Sequence, residues 1–234
     1  KATGTLMLMG RDTLLKGASR QVLLMQKALT QMNLQLHNVI SDITGLSGLA
    51  IIDAILTGER EPSNLSCLCD ARIKASRQTV AKSLVGDYRP EHLFSLQQAL
   101  ESYRHFQNQI AACDQHIEGM LAHFDSQEQS AEAPSNKYKA KGNQPTFDVP
   151  SEMHRILGVD LSALPGMSAQ GVLTFFCEVG PQITRFPSSK HFASWLGLCP
   201  DNRISGGKIL SSKTRNVRCR LANVLRLAAS TLYR

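Results

Sequence analysis

The sequence lacks several features that would assign the protein to a familiar class. No apolar run approaches the roughly 18 residues of a membrane span, so we expect no membrane partner. The six cysteines contain no CxxC pair, and the spacing of Cys67 and Cys69 does not suit a zinc knuckle. We therefore expect reduced thiols, no metal site in this chain and a cytoplasmic protein.

Acidic residues are missing from the C-terminal end. Residues 203–234 contain eight Lys or Arg side chains and no Asp or Glu. Residues 1–150 carry 15 basic and 15 acidic groups, whereas residues 151–234 carry 11 basic and 4 acidic groups and supply the whole formal charge of +7. Cations without counter-anions are typical of a surface that binds a polyanion such as nucleic acid. The alternative is a basic helix face exposed to solvent.

Apolar residues recur at heptad spacing in two seams of the N-terminal half. The first seam consists of Leu15, Ala18, Val22, Met25, Leu29, Met32, Leu36, Val39, Ile43 and Leu46. The second consists of Leu96, Ala99, Tyr103, Phe106, Ile110, Cys113, Ile117, Met120 and Phe124. An unbroken pattern over more than four heptads indicates a coiled coil. The seams fit either an antiparallel hairpin within one chain or a bundle between chains, and their length favours a homo-oligomer.

Composition divides the chain into three segments. Residues 1–124 are predicted to form a helical coiled-coil region with short intervening helices. Residues 125–150 are rich in polar residues, Pro and Gly, and are predicted to be a flexible linker. Residues 151–234 are predicted to form a small, basic, mainly helical domain. Because nothing in the N-terminal half has the alternation of a strand ladder and the C-terminal segment is mainly helical, the predicted fold class is all-α.

The third segment contains a candidate helix-hairpin-helix unit, LSALPGMSAQGVLTFFCEVG, at residues 161–180. In that motif, backbone N–H groups of the hairpin face a DNA phosphate. Gly166 lies at the predicted turn, but Ser168 stands where the usual second glycine would be. A plain pair of antiparallel helices fits this pattern equally well.

A Ser-Gly-Gly turn in the run DNRISGGKILSSKTR, residues 201–215, is the candidate reactive site. A hydroxyl that attacks a phosphodiester needs an exposed oxygen, room for the phosphate and cations to offset the charge on the phosphate oxygens. Ser205 is the candidate nucleophile, although most such turns are only turns. The predicted nucleic-acid contacts are Gly166, Arg203, Gly206, Gly207, Lys208, Lys213, Arg215, Arg218 and Arg220.

Three nearby residues are interpreted differently. Ser211 and Ser212 are expected to cap a basic helix that begins near Lys213, or to contact phosphate, rather than to act as the nucleophile. Trp195 is expected to anchor the core rather than to stack on a base.

Several separate blocks resemble the DEDD-type, Piv-like insertion-sequence transposases that a bridge RNA guides. The C-terminal blocks are KHFASWLGLCP (190–200), DNRISGGKILSSKTR (201–215) and LANVLRLAA (221–229). The upstream blocks are MQKAL (25–29), MNLQL (32–36), VISDITG (39–45), GER (58–60) and EHLF (91–94). The blocks follow one another in the family's order over nearly the whole chain.

The resemblance implies a two-part active site. The family has an N-terminal RuvC-like domain whose DEDD carboxylates bind magnesium, then a coiled coil, then a transposase domain whose serine attacks DNA. Ser205 matches that serine. We therefore expect DNA and a structured guide RNA as partners, association with the bacterial nucleoid, and a fragment that lacks the RuvC-like domain, carries no cofactor and is inactive alone. No neighbouring His or Asp qualifies as the general base.

Two other functions fit the residues. One is a non-catalytic helix-hairpin-helix module that binds DNA and oligomerises through the coiled coil, in which Ser205→Ala has no effect. The other is an assembly scaffold whose basic tail is solvated, with no salt-sensitive affinity for nucleic acid.

Overall fold

The computed structural model describes residues 2–126, 138–140, 142–214, 217 and 219–232. Over these residues the chain forms ten α-helices and one two-stranded sheet, so the predicted all-α fold is confirmed. The helices are α1 (Ala2–Gln31), α2 (Leu36–Val39), α3 (Leu46–Leu56), α4 (Pro62–Cys67), α5 (Arg77–Ser83), α6 (Pro90–Leu121), α7 (Val149–Leu157), α8 (Ala169–Val179), α9 (Ser189–Trp195) and α10 (Arg220–Thr231). The strands are β1 (Arg203–Ser205) and β2 (Lys208–Ser211). None of the described helices has the length and hydropathy that a membrane crossing requires.

The chain divides into two compact units. The central unit is Asp12–Ile110, and the terminal unit combines Lys1–Arg11 with Ala111–Arg234. The long helices α1 and α6 contribute residues to both units. The domain boundaries at residues 124 and 150 stay a prediction.

The core of the central unit contains seam residues of both α1 and α6. Met25 and Leu29 of α1 share one buried cluster with Leu96 of α6. Gly17 allows a close approach to α6, because a Cβ at this position would lie 2.6 Å from the Phe106 ring. Higher numbers on α1 thus meet lower numbers on α6, and these parts of the helices are antiparallel. These seam residues are buried by contacts within one chain. The association of several copies through the seam therefore stays a prediction.

The first seam does not continue as one helix. After α1 ends, Asn33 takes a left-handed backbone with φ of 58°, and the N–H of Leu34 donates to the C=O of Leu29 at 2.9 Å. Ile43 then enters the same core from a turn, whereas Leu46 is 80% exposed. Heptad positions up to Leu29 lie on a long helix, as a coiled coil requires. The predicted continuation of the seam beyond α1 is wrong, because a local helix stop overrides the apolar period.

The terminal unit has a core built around α7 and α8. Apolar residues of these helices pack with Leu8 of α1 and with Ile117 and Leu121 of α6. The Asp148 side chain caps α7 by accepting from the N–H of Ser151 at 3.1 Å. Ser168 caps α8 in the same way. The end of the predicted linker contributes to this core, since Phe147 is buried in it.

A buried ion pair crosses the terminal unit. Arg11 and Asp114 are almost completely buried and are joined by two hydrogen bonds, one of them 3.2 Å from Nη2 to Oδ2. The same guanidinium donates to the C=O of Asn143 at 3.0 Å and to Oε1 of Gln170 at 3.2 Å. Asp114 also accepts from the N–H of Thr146 at 3.0 Å. The pair therefore attaches the segment before α7 to α1, α6 and α8.

A smaller core joins α8, α9 and α10. Val179, Leu196, Leu221 and Ala222 are its buried members. Leu161–Ala163, which precedes the Pro-Gly turn, forms one turn of 3-10 helix rather than an α-helix. The helix-hairpin-helix unit at residues 161–180 stays a prediction.

Candidate nucleic-acid interface

A tight hairpin turn presents the candidate serine. Ser205 ends β1 and pairs with Lys208, the first residue of β2. The two residues between them, Gly206 and Gly207, have φ of +55° and +75°. A two-residue hairpin loop with both central residues at positive φ is of type I′, which favours glycine. Among the described residues, a Cβ at either position would have no atom within 4 Å apart from its chain neighbours. The positive φ, rather than crowding, therefore explains why both residues are glycine.

The first strand of the hairpin has one polar face and one apolar face. Ile204 pairs with Ile209, and a bulge then places Arg203 opposite Ser211. Because successive residues of a strand point to opposite faces, Arg203 and Ser205 share one face and Ile204 takes the other. Lys208 lies directly across from Ser205, where Cβ atoms are about 5 Å apart. The serine therefore stands between two cationic residues.

The base of the hairpin is fixed by backbone contacts. The N–H of Asp201 donates to the C=O of Lys213 at 2.9 Å, and Pro200 and Thr214 form an isolated bridge. Lys213 thus belongs to the continuation of the hairpin. The predicted basic helix near Lys213 is wrong, because the next helix, α10, begins only at Arg220. Instead of this helix, the chain at Lys213 and Thr214 is extended and pairs with Pro200 and Asp201.

Every residue from 201 to 210 is exposed. Within the described part of the chain, no carboxylate forms an ion pair with Arg203, Lys208 or Lys213, and Ser205 Oγ has no hydrogen-bond partner. An exposed hydroxyl beside unpaired cations is open to an anionic ligand such as phosphate. The arrangement suits approach by a phosphodiester from the polar face.

The remaining predicted contacts lie elsewhere or outside the described residues. Arg220 is the first residue of α10, and Gly166 lies in the turn before α8. Gly166 has φ of +79°, and a Cβ there would lie 2.6 Å from the C=O of Ala228 in α10. Glycine at this position thus allows the turn before α8 to lie close to α10. Arg215 and Arg218 lie outside the described residues.

Neither a metal-binding cluster nor a second free hydroxyl competes with Ser205 in the described part of the hairpin. No group of three or more His, Cys, Asp or Glu side chains there fits a metal ion. Ser211 Oγ, the alternative hydroxyl, accepts from the N–H of Lys213 at 3.4 Å, so it supports the backbone of the hairpin. The geometry therefore favours Ser205 over Ser211 as the accessible hydroxyl.

An aromatic cluster beside α9 was not predicted as a surface feature. Trp195 was expected to anchor the core, yet it is 42% exposed, and its neighbour Leu196 is the buried residue. The guanidinium of Arg185 lies 5.3 Å from the centroid of the Trp195 ring. The spacing of Phe192 and Trp195, three residues apart on a helix, indicates ring contact, but it does not tell which ring is exposed.

The terminal unit also contains an apolar cavity of about 740 Å³. Its lining includes Met120, Phe124, Phe176 and Cys177, with Arg185 at one side. Burial raises the pKa of the Cys177 thiol to about 12, and the nearby Glu178 adds to this effect. A thiol with so high a pKa is not a nucleophile near neutral pH, so Cys177 contributes apolar volume to the cavity rather than a reactive group.

Comparison with known proteins gives one match. Residues 160–234 match the family model described as "Transposase IS116/IS110/IS902 family", and the hairpin lies within this range. No similar curated protein and no similar solved structure was found. The C-terminal segment of the chain is therefore similar to a transposase family domain.

Proposed function

We propose that the terminal unit supplies the serine half of a transposase active site, with Ser205 as the nucleophile. One observation carries the proposal: an exposed hydroxyl lies across from Lys208 and on the same face as Arg203, without a competing partner among the described residues. The segment that matches the transposase family contains this hairpin. The two cations offset charge that develops on the phosphate oxygens during attack.

The proposed reaction is a transesterification. Ser205 Oγ forms a bond to phosphorus while a bond from phosphorus to a deoxyribose oxygen breaks. The serine proton passes to a base, and the departing oxygen takes up a proton to become a sugar hydroxyl. Attack by a hydroxyl of another strand on the phosphoserine then rejoins DNA and restores the serine. Because each step exchanges one ester for another, no high-energy cofactor is needed.

The base and the metal belong to another part of the proposed site. We assign both to the DEDD carboxylates of a RuvC-like domain in the full-length protein, as the family resemblance implies. Magnesium bound there would polarise the scissile phosphate. The contribution that we assign to the described residues of this chain is the hydroxyl, its exposure and the flanking cations.

The proposed partners are DNA and a guide RNA. The hairpin cations bind DNA through phosphates, which positions a substrate without reading its sequence. We assign the choice of site to base pairing with a structured RNA, and assembly of copies to the coiled-coil helices. These assignments place the protein at the bacterial nucleoid.

A covalent-trapping experiment tests the nucleophile. The full-length protein is incubated with magnesium, guide RNA, donor DNA and target DNA, and covalent protein–DNA adducts are separated by denaturing electrophoresis. The wild-type protein is expected to form an adduct, and Ser205→Ala is expected to abolish it while most nucleic-acid affinity remains.

The matched controls are Ser211→Ala and Ser212→Ala, each of which removes one hydroxyl from the same hairpin region. Both are expected to retain the adduct. An adduct that persists in Ser205→Ala and disappears in one control would transfer the nucleophilic role to that residue. Unchanged recombination in Ser205→Ala would favour the non-catalytic DNA-binding module.

A further inference from the structure

The exposed aromatic cluster of the terminal unit centres on Trp195 and Arg185. The Arg185 guanidinium lies 4.6 Å from the Phe186 ring centroid and 5.3 Å from that of Trp195. Trp195 stacks on Phe192 with an interplanar angle of 20° and a centroid distance of 6.1 Å. A planar cation and three aromatic rings therefore form one cluster of mutual contacts, in which only Trp195 and Phe192 are stacked.

The inner side of this cluster is anchored. Phe186 and Phe192 pack against the core of α8, α9 and α10, and Phe192 also contacts Phe175 edge-on at 6.1 Å. Leu196, which follows Trp195, is buried in that core. The position of the outer ring is therefore set by rigid neighbours, whereas a large part of the ring itself remains exposed to solvent.

The sequence segment that carries most of the cluster has acidic residues at no position. Residues 181–200 contain Arg185 and Lys190 but no Asp or Glu. Across the described ranges, no carboxylate forms an ion pair with Arg185, and its guanidinium contacts the Phe186 and Trp195 rings. A guanidinium held over two aromatic rings, without an acidic partner, combines a planar group and a positive charge beside exposed ring surface.

We propose that Arg185 and Trp195 form a stacking site for an unpaired base of single-stranded nucleic acid. Aromatic rings and Arg guanidinium planes stack on unpaired bases of any sequence, and adjacent cations attract the backbone. A purely structural Trp would be expected to bury its ring, and a purely electrostatic Arg would not need the rings. This site adds a second type of contact to the proposed function and requires no chemistry at Ser205.

The protein contains a single tryptophan, which makes its fluorescence a direct probe of the site. We expect single-stranded oligo-dT and oligo-U to quench Trp195 at low salt, with anisotropy of labelled oligonucleotides reporting total binding. An abasic strand of equal length has the same phosphates without bases, and we expect it to bind without comparable quenching. The DNA and RNA arms identify which strand the site prefers.

The variant Arg185→Lys keeps the charge but removes the planar stacking group. We expect it to weaken oligo-dT or oligo-U binding about 5- to 150-fold, which corresponds to the loss of one stacked base, and to leave abasic binding nearly unchanged. The same substitution at exposed Arg20 on α1 is the matched control and should change neither. Trp195→Phe tests the ring by anisotropy, with circular dichroism to confirm folding.

The outcomes separate the two proposals. Binding of every strand without base-dependent quenching, or equal quenching by the abasic strand, overturns the stacking site but leaves the phosphate-binding hairpin intact. Base-dependent quenching that survives Arg203→Ala and Lys208→Ala supports the stacking site independently of the hairpin. Absence of any binding at low salt overturns both.

Discussion

Arg11 and Arg203 carry the same guanidinium, yet the terminal unit surrounds them differently. Arg11 is buried, and Asp114, Asn143 and Gln170 accept its hydrogen bonds. Arg203 lies on an exposed hairpin and pairs with no described carboxylate. A paired, buried cation is fully explained by the fold, whereas an exposed, unpaired one is available to an external anion. The presence or absence of an acidic partner, rather than the number of cations, thus indicates which surface we propose to bind nucleic acid.

The hairpin and the helical core also differ in what holds them in place. The α7–α8 core buries apolar residues on both helices, whereas Ile204, Ile209 and Leu210 of the hairpin are all exposed. A two-stranded hairpin alone is marginally stable in water. We therefore expect mutations in the core to change global stability, and mutations in the hairpin to change binding with little global effect.

Breaking the buried ion pair should have the largest effect. Arg11→Met leaves the Asp114 carboxylate buried without its cation, which is expected to lower the free energy of unfolding by about 3–5 kcal/mol. Urea denaturation followed by circular dichroism measures this change. The control Arg20→Met, on an exposed site of α1, is expected to stay within about 0.5 kcal/mol of wild type.

The double variant Arg11→Met with Asp114→Leu sharpens the test, because it removes both charges and should recover much of the lost stability. A loss below about 1 kcal/mol in Arg11→Met would show that the pair does not hold the segment before α7.

The seam of the central unit separates stability from assembly. Leu29 is buried within one chain, so Leu29→Glu should destabilise the central unit by about 3 kcal/mol or more. Leu23 is on the same helix and 64% exposed, so Leu23→Glu should leave the fold intact. If α1 joins copies through its exposed face, sedimentation will show a smaller species for Leu23→Glu. A strictly monomeric parent at high concentration would remove the proposed homo-oligomer.

Periodicity and charge predicted the parts of the fold that depend on local pattern. Long helices at α1 and α6, the all-α class and an exposed basic turn at Ser205 all follow from residues near one another in sequence. The end of α1 was missed because Asn33 adopts a left-handed backbone, which an apolar period does not reveal. The strands of the hairpin between residues 203 and 211 were missed. They are only three and four residues long, and the segments on both sides have a stronger helical pattern.

Long-range contacts were beyond reach of the sequence pattern. Arg11 and Asp114 are 103 positions apart, and nothing in the spacing of charges links them. Trp195 was assigned to the core because large aromatic residues are usually buried, but its position at the end of α9 turns the ring outwards. The role that we propose for Ser205 depends on its exposure and on Lys208 across the hairpin, and both follow from the turn type rather than from composition.

The salt dependence of binding tests the hairpin cations. If the C-terminal segment neutralises about five phosphates, a plot of log affinity against log salt should have a slope of roughly −3.5 to −4.5. Replacing Arg203, Lys208 and Lys213 together by Ala should make the slope shallower by roughly 2 to 3. Binding is measured by anisotropy from low to moderate salt.

The matched control for the cations replaces Lys16, Arg20 and Lys27, three exposed cations of α1, by Ala. It removes the same charge from the central unit and should leave the slope within about 0.5 of wild type. If the affinity of the parent does not change with salt, phosphate binding is contradicted. If the slope becomes shallower by the same amount in both variants, binding depends on net charge rather than on the hairpin cations.

The turn glycines should show the smallest effect and the most local one. Gly207 has φ of +75°, so Gly207→Ala forces a Cβ into the left-handed region at a cost of about 1–2 kcal/mol, although the space around it is open. Because the hairpin is exposed, we expect faster amide exchange in β1 and β2 and weaker phosphate binding, with the global unfolding transition unchanged. Gly10→Ala is a control with the opposite expected sign. Gly10 lies inside α1 with open space around it, so Ala should raise the free energy of unfolding by about 0.4–1 kcal/mol. A global loss of stability in Gly207→Ala would mean that the hairpin is part of the cooperative core, and the contrast between an exposed binding element and a buried scaffold would fail.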